Sequence, residues 1–362
     1  MGLEIKTLRN LPIGVDLGTT SVKMAQVRMS KSNVELIGAA FAESIPPQAD
    51  RPVDRVAAQL KAVAGLLKSG GFSGQKAILS LPAEMVLVQP IKVPIVPPGE
   101  LDAVVRHEVQ PNLPCPADQA VIRHILAGTV RTGGKEMQER IVVAVPRADL
   151  ERCLELARHA GLEVVGVNVE ACAVVECFAR LFRRAADESR VTLFIDLGWG
   201  STQVVLAHGS KLVFARNLPV GGCTMDRAVA EVLQIPLDQA HEIHMRMIGQ
   251  EQEGPAADDL FRLLDTRIAE VTDKIAECLR YYESIFVNRA IDRIIFVGGQ
   301  AHNSRLCRCI AERLNLPAQV GDPMAGIRRA EGRSWPEQMN TREPQPAWAV
   351  AVGLSIGANL AA

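Results

Sequence analysis

Ile13-Gly14-Val15-Asp16-Leu17-Gly18-Thr19-Thr20-Ser21-Val22-Lys23 is the stretch from which the fold follows. An apolar run reaches an aspartate and a glycine, passes three hydroxyl residues and turns apolar again, the pattern of strand, tight turn and strand. Much later, Phe194-Ile195-Asp196-Leu197-Gly198-Trp199-Gly200-Ser201-Thr202 repeats the device. Two such turns, each opening a run of short strands, make the chain an internally duplicated pair of domains.

Their chemistry is that of anion binding. Glycine brings backbone N–H groups close to an anion. Thr19, Thr20, Ser21, Ser201 and Thr202 add hydroxyl donors, and Lys23 adds positive charge. Asp16 and Asp196 repel phosphate and so call for a cation between, which Mg²⁺ supplies through its retained waters. A turn of this kind in isolation is more often an ordinary hairpin; the matched pair is what points to a polyphosphate.

The totals narrow the function classes. With 362 residues, 48% of them hydrophobic, the chain holds more than one core. A net charge of −1 excludes a global field for nucleic acid or anionic lipid. Eight scattered cysteines without a Cys-x-x-Cys pair read as reduced, mostly buried thiols. The first residues lack the apolar core of a secretory signal, and Lys6 stands where the myristoylation motif wants Ser or Thr. Trp348–Ala362, the most apolar tail, is too short to cross a bilayer, so a partner is expected to hold the protein at any membrane.

Along the chain, strands are expected at 13–17, 21–27 and 34–41, then a helix from about 53 to 69 ended by Gly70-Gly71. Strands near 76–81, 85–93, 120–127, 140–145 and 163–168 alternate with helices at 100–110 and 149–160. From 84 to 168 this reads as a small α/β module inserted into a larger domain. A helix at 170–185 leads to strands at 192–196, 202–207 and 211–218, then helices at 225–233, 237–248 and 258–286. Strand 293–297 enters Gly298-Gly299-Gln300, whose glycines permit close approach by a flat group, and a helix is expected to run on to Leu314. The charged, proline-rich stretch 329–347 reads as an exposed excursion, and a last helix spans about 348–360, with two glycines against it.

Two turns followed by a strand and a glycine pair resemble, in that order, the actin/Hsp70/sugar-kinase superfamily. The sequence resembles more narrowly the PilM family, the actin-like ATPases of type IV pilus assembly, with the division protein FtsA a more distant relative. Val105-Arg106-His107-Glu108-Val109-Gln110-Pro111-Asn112-Leu113-Pro114, Arg140 to Pro146 through Ala160-Gly161-Leu162, and Val167-Asn168-Val169-Glu170-Ala171 carry that likeness. It covers about residues 11–327 and the final helix.

The resemblance implies an α/β, actin-like (ribonuclease H-like) two-lobed ATPase fold with a small α/β subdomain inserted in the first lobe. The first lobe would comprise 11–83, 169–188 and 346–360, the insertion 84–168, the second lobe 189–224 and 287–328, a helical subdomain 225–286, and an exposed linker 329–345. It further implies ATP with Mg²⁺ bound between the halves, Asp16 and Asp196 holding the metal through water. Gly18, Thr19, Thr20, Ser21, Lys23, Gly198, Gly200, Ser201, Thr202, Gly222, Glu242, Gly298, Gly299 and Gln300 would bind nucleotide. Glu170, at a strand-to-helix junction, would orient the attacking water; an ordinary helix-start acid is the competing reading.

By resemblance the partner is the N-terminal cytoplasmic tail of a PilN-like bitopic membrane protein, held in a groove between the first domain and the inserted module. Pilus motor ATPases, a platform protein and self-association follow as further partners, with a cytoplasmic location peripheral to the inner membrane. Four residues depart from the pattern: Trp199 where a small residue is usual, Gln203 where aspartate often follows, Gln300 for a third glycine, and His244 where lysine would meet nucleotide. His241 and His244 share a helix face at i, i+3, a spacing used by metal ligands, but no third ligand accompanies them.

Three alternatives stay open. An FtsA-like protein polymerising at the membrane would need a basic amphipathic anchor that Trp348–Ala362 lacks. A small-molecule kinase would carry a catalytic aspartate near the second turn. A nucleotide-free scaffold is favoured by the four departures.

Overall fold

A computed structural model describes residues 9–29, 33–43, 52–182, 187, 189–249, 255–332, 339–340 and 342–358. In chain order its elements are β1 (Arg9–Asn10), β2 (Ile13–Leu17), β3 (Ser21–Met29), β4 (Val34–Glu43), α1 (Pro52–Ser69), β5 (Lys76–Ser80), β6 (Leu87–Pro94), α2 (Pro98–Val109), β7 (Ala120–Thr132) and β8 (Lys135–Pro146). There follow α3 (Arg147–His159), β9 (Glu163–Asn168), α4 (Glu170–Ala179), β10 (Val191–Leu197), β11 (Thr202–His208), β12 (Lys211–Leu218), α5 (Gly222–Leu233) and α6 (Leu237–Gly249). The last are α7 (Pro255–Ile285), β13 (Arg293–Val297), α8 (Ser304–Leu314), β14 (Ala318–Val320), β15 (Ile327–Arg329) and α9 (Ala349–Gly357).

Two compact units result, one from residues 1–86, 147–181 and 322–362, the other from 87–146 and 182–321. The first is built on a sheet ordered β15-β4-β3-β2-β5-β9, with β1 paired to β3. The second has a sheet ordered β12-β11-β10-β13-β14. Inside both, an antiparallel three-strand meander is followed by two parallel strands added beside its first strand. The duplication read from the two aspartate–glycine turns is therefore a duplication of topology: β4-β3-β2-β5-β9 and β12-β11-β10-β13-β14 follow one path.

The inserted module differs from its expected bounds. Its three-stranded sheet, β6-β8-β7, closes with α2 over a small core of its own, including Val93, Val105, Val109, Ala120 and Val142. The sequence assigned α3 and β9 to this module as well. Instead β9 pairs in parallel with β5, extending the seven-stranded sheet, and both elements lie in the first unit. The apolar run Val164–Val167 suits either sheet, and only the pairing of Ile78 with Gly166 and Leu79 with Val167 distinguishes them.

Two further differences have local causes. The helix expected to begin at Gly299 is interrupted: Gly299–His302 forms a 3-10 turn, and Asn303 then caps α8, its Oδ1 accepting from the Leu306 N–H at 2.9 Å. The stretch read as an exposed linker buries Ala330, Met339 and Gln345; the Gln345 amide donates to the Asn340 carbonyl at 2.7 Å, folding the segment on itself. The helix expected over 170–185 ends at Ala179, where Arg180 caps it and residues 180–182 leave the helical path, and 183–185 lie outside the described residues. All eight cysteines are unpaired, four buried and four half-buried, and burial pushes the Cys172, Cys177 and Cys307 thiols up to about 12.

The glycines that weigh against α9 are what seat it. A Cβ on Gly353 would lie 1.9 Å from the Ala173 carbonyl oxygen of α4, and one on Gly357 would meet the Glu176 carboxylate. Glu176 Oε2 has no partner there, and burial raises its pKa to about 7. Close helix crossing thus outweighs the small propensity penalty of glycine.

The two positions should respond differently to alanine. At Gly353 the obstacle is backbone, so Gly353→Ala should lower unfolding free energy by about 3 kcal/mol. At Gly357 it is the end of a flexible side chain, and Gly357→Ala should cost about 1 kcal/mol or less. Urea melts of the two variants provide the comparison.

Candidate functional site

Each aspartate–glycine turn has four residues between paired strand ends. In the first, Leu17 pairs with Val22 around Gly18-Thr19-Thr20-Ser21; in the second, Leu197 pairs with Thr202 around Gly198-Trp199-Gly200-Ser201. The same register sets Asp16 opposite Lys23 and Asp196 opposite Gln203, so each acid shares a sheet face with a polar neighbour. Lys23 and Gln203 are thus structural counterparts, one charged and one neutral.

Around the first turn, Asp16, Ser21 and Lys23 are all buried. Lys23 Nζ donates to Ser21 Oγ at 2.6 Å and lies 5.7 Å from the Phe41 ring centroid. Burial raises the pKa of Asp16, and the charge of Lys23 only partly offsets this. Two side chains of α1 fix the turn from outside. Gln59 Nε2 donates to the Gly18 carbonyl at 2.5 Å, and Arg55 pairs with Glu84 at 2.7 Å, whose Oε1 also accepts from Thr19 Oγ1 at 3.4 Å. Sequence reading missed Arg55, Gln59 and Glu84. The available signal was a buried polar pair at i, i+4 on the apolar face of α1, beside Val56 and Leu60.

The second turn is tied to the start of α5. Gly198 N–H donates to the Ser201 carbonyl at 3.0 Å and closes the turn. Gly222 N–H donates to the Gly198 carbonyl at 3.1 Å, and Cys223 N–H to the Trp199 carbonyl at 2.7 Å. Thr202 Oγ1 is buried without a hydrogen-bond partner. Gly298, at φ +90°, passes so close to Asp196 that a Cβ there would lie 2.3 Å from Oδ1; only glycine serves. Gln300 packs its buried amide against Gly222, and its Oε1 has no partner.

Trp199 and His244, two of the four departures, meet at a residue that sequence reading passed over. Asp226 of α5 is fully buried, and its carboxylate accepts from Trp199 Nε1 at 2.5 Å, His241 Nδ1 at 2.7 Å and His244 Nδ1 at 2.5 Å. Desolvation alone would raise its pKa, but hydrogen bonds from His241, His244 and Trp199 outweigh it and bring it to about 2. An ionised carboxylate only accepts, so both imidazoles carry a proton on Nδ1. The histidine pair is therefore occupied with a carboxylate, and among the described residues no cluster of three or more His, Cys, Asp or Glu is arranged to hold a metal ion.

The remaining predicted residues fall as follows. Glu170 is the half-buried first residue of α4, and Glu242 is exposed on α6, paired with Arg246 at 3.1 Å. Thr20, Gly200 and Ser201 are half-buried in their turns, and Gly299 is exposed. A cavity of about 570 Å³ lined by Ser304, Cys307 and Arg308 on α8 and by β14 contains none of the predicted site residues.

Duplicated meanders that present aspartate–glycine turns, with a glycine pair after β13, define the actin-like ATPase fold. The model of the type IV pilus assembly protein PilM family matches residues 14–358, and the chain belongs to that family. A chain of the PilM–PilN type IV pilus biogenesis complex superposes with a TM-score of 0.79 at 21% identity, covering 96% of this chain and 98% of that one. MreB5 of Spiroplasma citri bound to ADP gives 0.51 at 13% identity, covering 98% and 97%. The cell division protein FtsA of Streptococcus pneumoniae serotype 2 (strain D39 / NCTC 7466) is 21% identical over 358 residues, 85% of this chain and 76% of FtsA. At such identities the structural likeness concerns the fold. Among the described residues no helix is long and apolar enough to cross a membrane.

The depressed pKa of Asp226 sets the sign of an acid effect. Its contribution is complete above the ordinary carboxylate range and disappears as pH falls toward 2. The stability advantage of wild type over Asp226→Asn should therefore shrink by about 2 kcal/mol between pH 5 and pH 2. Denaturant melts of both proteins across that interval measure it.

Proposed function

We propose that this chain is an ATP- and Mg²⁺-binding cytoplasmic component of type IV pilus or related secretion assembly, in which nucleotide acts as a conformational switch for capture of a PilN-like protein's cytoplasmic tail. The observation that carries the nucleotide reading is the equivalence of the two turns in register and sheet position. Both present an acid, a turn glycine and a serine at matching places. The residues suit the ligand: a buried Asp16 with a raised pKa gains from a nearby divalent cation, and the orphaned Thr202 hydroxyl gains from an acceptor oxygen.

In this reading Asp16 and Asp196 hold Mg²⁺ through water. Gly18, Thr19, Thr20, Ser21, Lys23, Gly198, Gly200, Ser201 and Thr202 bind the phosphates, while Gly222, Glu242, Gly298, Gly299 and Gln300 serve the nucleoside. Glu170 orients the water for slow hydrolysis. MreB5 structures holding ADP and AMPPNP support the ligand class, and the PilM–PilN complex supports the partner.

The first unit also offers a surface suited to an extended tail. β9 ends its sheet among the described residues, and Val165 and Val167 are 49% and 40% exposed. An edge strand with outward apolar side chains accepts a further strand through its backbone.

Calorimetric titration with ATP–Mg²⁺ should show saturable binding, weakened about tenfold in Thr202→Val. Glu170→Gln should bind as wild type yet release phosphate at least about tenfold more slowly. A wild-type protein without ATP binding overturns the nucleotide reading, and ATP left intact after prolonged incubation overturns hydrolysis.

A fluorescent peptide of a PilN-like N-terminal tail should bind by anisotropy, with an affinity that differs with and without ATP–Mg²⁺ and falls in Val165→Lys. Equal affinity in both nucleotide states removes the switch.

A further inference from the structure

The second turn is held to α6 by a side-chain knot with no counterpart of equal strength at the first. Register makes Thr19 and Trp199 equivalent, each the second residue of its turn. Each is also joined through a carboxylate to basic side chains on a helix. Thr19 reaches Glu84 at 3.4 Å, an exposed contact, and Glu84 pairs with Arg55. Trp199 reaches Asp226 at 2.5 Å, and Asp226, itself fully buried, accepts from the half-buried His241 and the buried His244. The Trp199 and His241 rings also meet edge to face, their centroids 6.0 Å apart.

Three N–H donors on one buried carboxylate form a stiff junction, because moving any one of them leaves a buried charge less satisfied. Asp226 lies one turn into α5, whose first N–H groups already bind the backbone of the same loop. Loop, α5 and α6 are thereby joined by backbone on one side and by Trp199 on the other. His244 is 1% exposed and its Nε2 has no partner, so its ring orientation is set by Asp226.

We infer that Asp226 is a positioning residue that locks the second turn to α6 through Trp199, so that a ligand in that turn sets the position and mobility of α6. The identity of the ligand rests on the nucleotide reading above; the mechanical link does not. Occupancy of the turn would then be reported along α6, giving the proposed switch a physical route within this unit.

Hydrogen exchange of the full-length protein tests the link without ligand. Trp199→Phe keeps an aromatic side chain but removes the indole N–H and the five-membered ring, so the hydrogen bond to Asp226 is lost. Exchange within residues 237–249 should rise at least about threefold in Trp199→Phe, and the turn 198–203 should loosen in His244→Ala. The indole N–H resonance of Trp199, assigned by its loss in Trp199→Phe, should shift in His244→Ala, because both donors share the Asp226 carboxylate. Unchanged exchange of 237–249 in Trp199→Phe overturns the proposal.

A second arm adds ATP–Mg²⁺. Wild type should gain protection in both segments, while Trp199→Phe gains it in the turn alone. Equal protection of 237–249 in the two proteins overturns the link. If ATP protects neither segment in wild type, the nucleotide reading fails, and the ligand-free comparison still decides the coupling.

Discussion

A helix from the far end of the chain fixes the strand on which the first turn depends. Gly14 of β2 leaves no space for a side chain: a Cβ there would lie 2.0 Å from the Ala351 carbonyl and 2.8 Å from the Ser355 amide of α9. The Ser355 hydroxyl donates to the Pro12 carbonyl at 2.7 Å and accepts from the Val27 N–H at 3.1 Å, joining both strands of the hairpin. On its other side α9 meets α4 at Gly353. Asp16 lies two residues beyond Gly14, and Glu170 begins α4, so one crossing of small residues determines where both acids sit within that unit. Contacts so far apart in sequence carry a high closure cost, which only dense packing offsets.

The two turns share a backbone plan and differ in how they are held. Side chains of α1 support the first: a glutamine on the Gly18 carbonyl, and an arginine that steadies Glu84. Backbone N–H groups at the start of α5 support the second, together with the carboxylate of Asp226. The common plan is one of strand order, and the supports differ in what they hold. The Thr19 tether is long and exposed, whereas the Trp199 tether is short and ends on a fully buried carboxylate. A buried hydrogen bond to a charged group is worth more than an exposed one of poor length, so the second turn is the stiffer of the two.

Much of this was legible in the sequence, and for stated reasons. Period-two patterning located the paired meanders, and glycine with hydroxyls marked both turns, because those signals are local. The actin-like fold followed from the same residues together with Gly298-Gly299, and the family from the stretches 105–114, 140–162 and 167–171. What local signals leave open is pairing. β9 reads as apolar whether it joins the inserted module or the main sheet, and only long-range register separates these. Asp226 drew no reading, while Trp199 and His244 read as separate departures and His241 only as a neighbour of His244 on one helix face. Their convergence is tertiary and has no periodic trace. The glycines of α9 were read against a helix because propensity measures an isolated helix, and here the backbone of α4 needs the space.

The departures also redistribute charge between the turns. Lys23 stands opposite Asp16, so the first turn carries its own compensating cation in the same sheet register. Gln203 stands opposite Asp196, and that acid has no lysine at the matching place. The charge of the second aspartate is therefore not balanced by a cation at its cross-strand position. A duplicated acid with an unduplicated lysine thus leaves the two turns, alike in backbone, unequal in charge at the same register position.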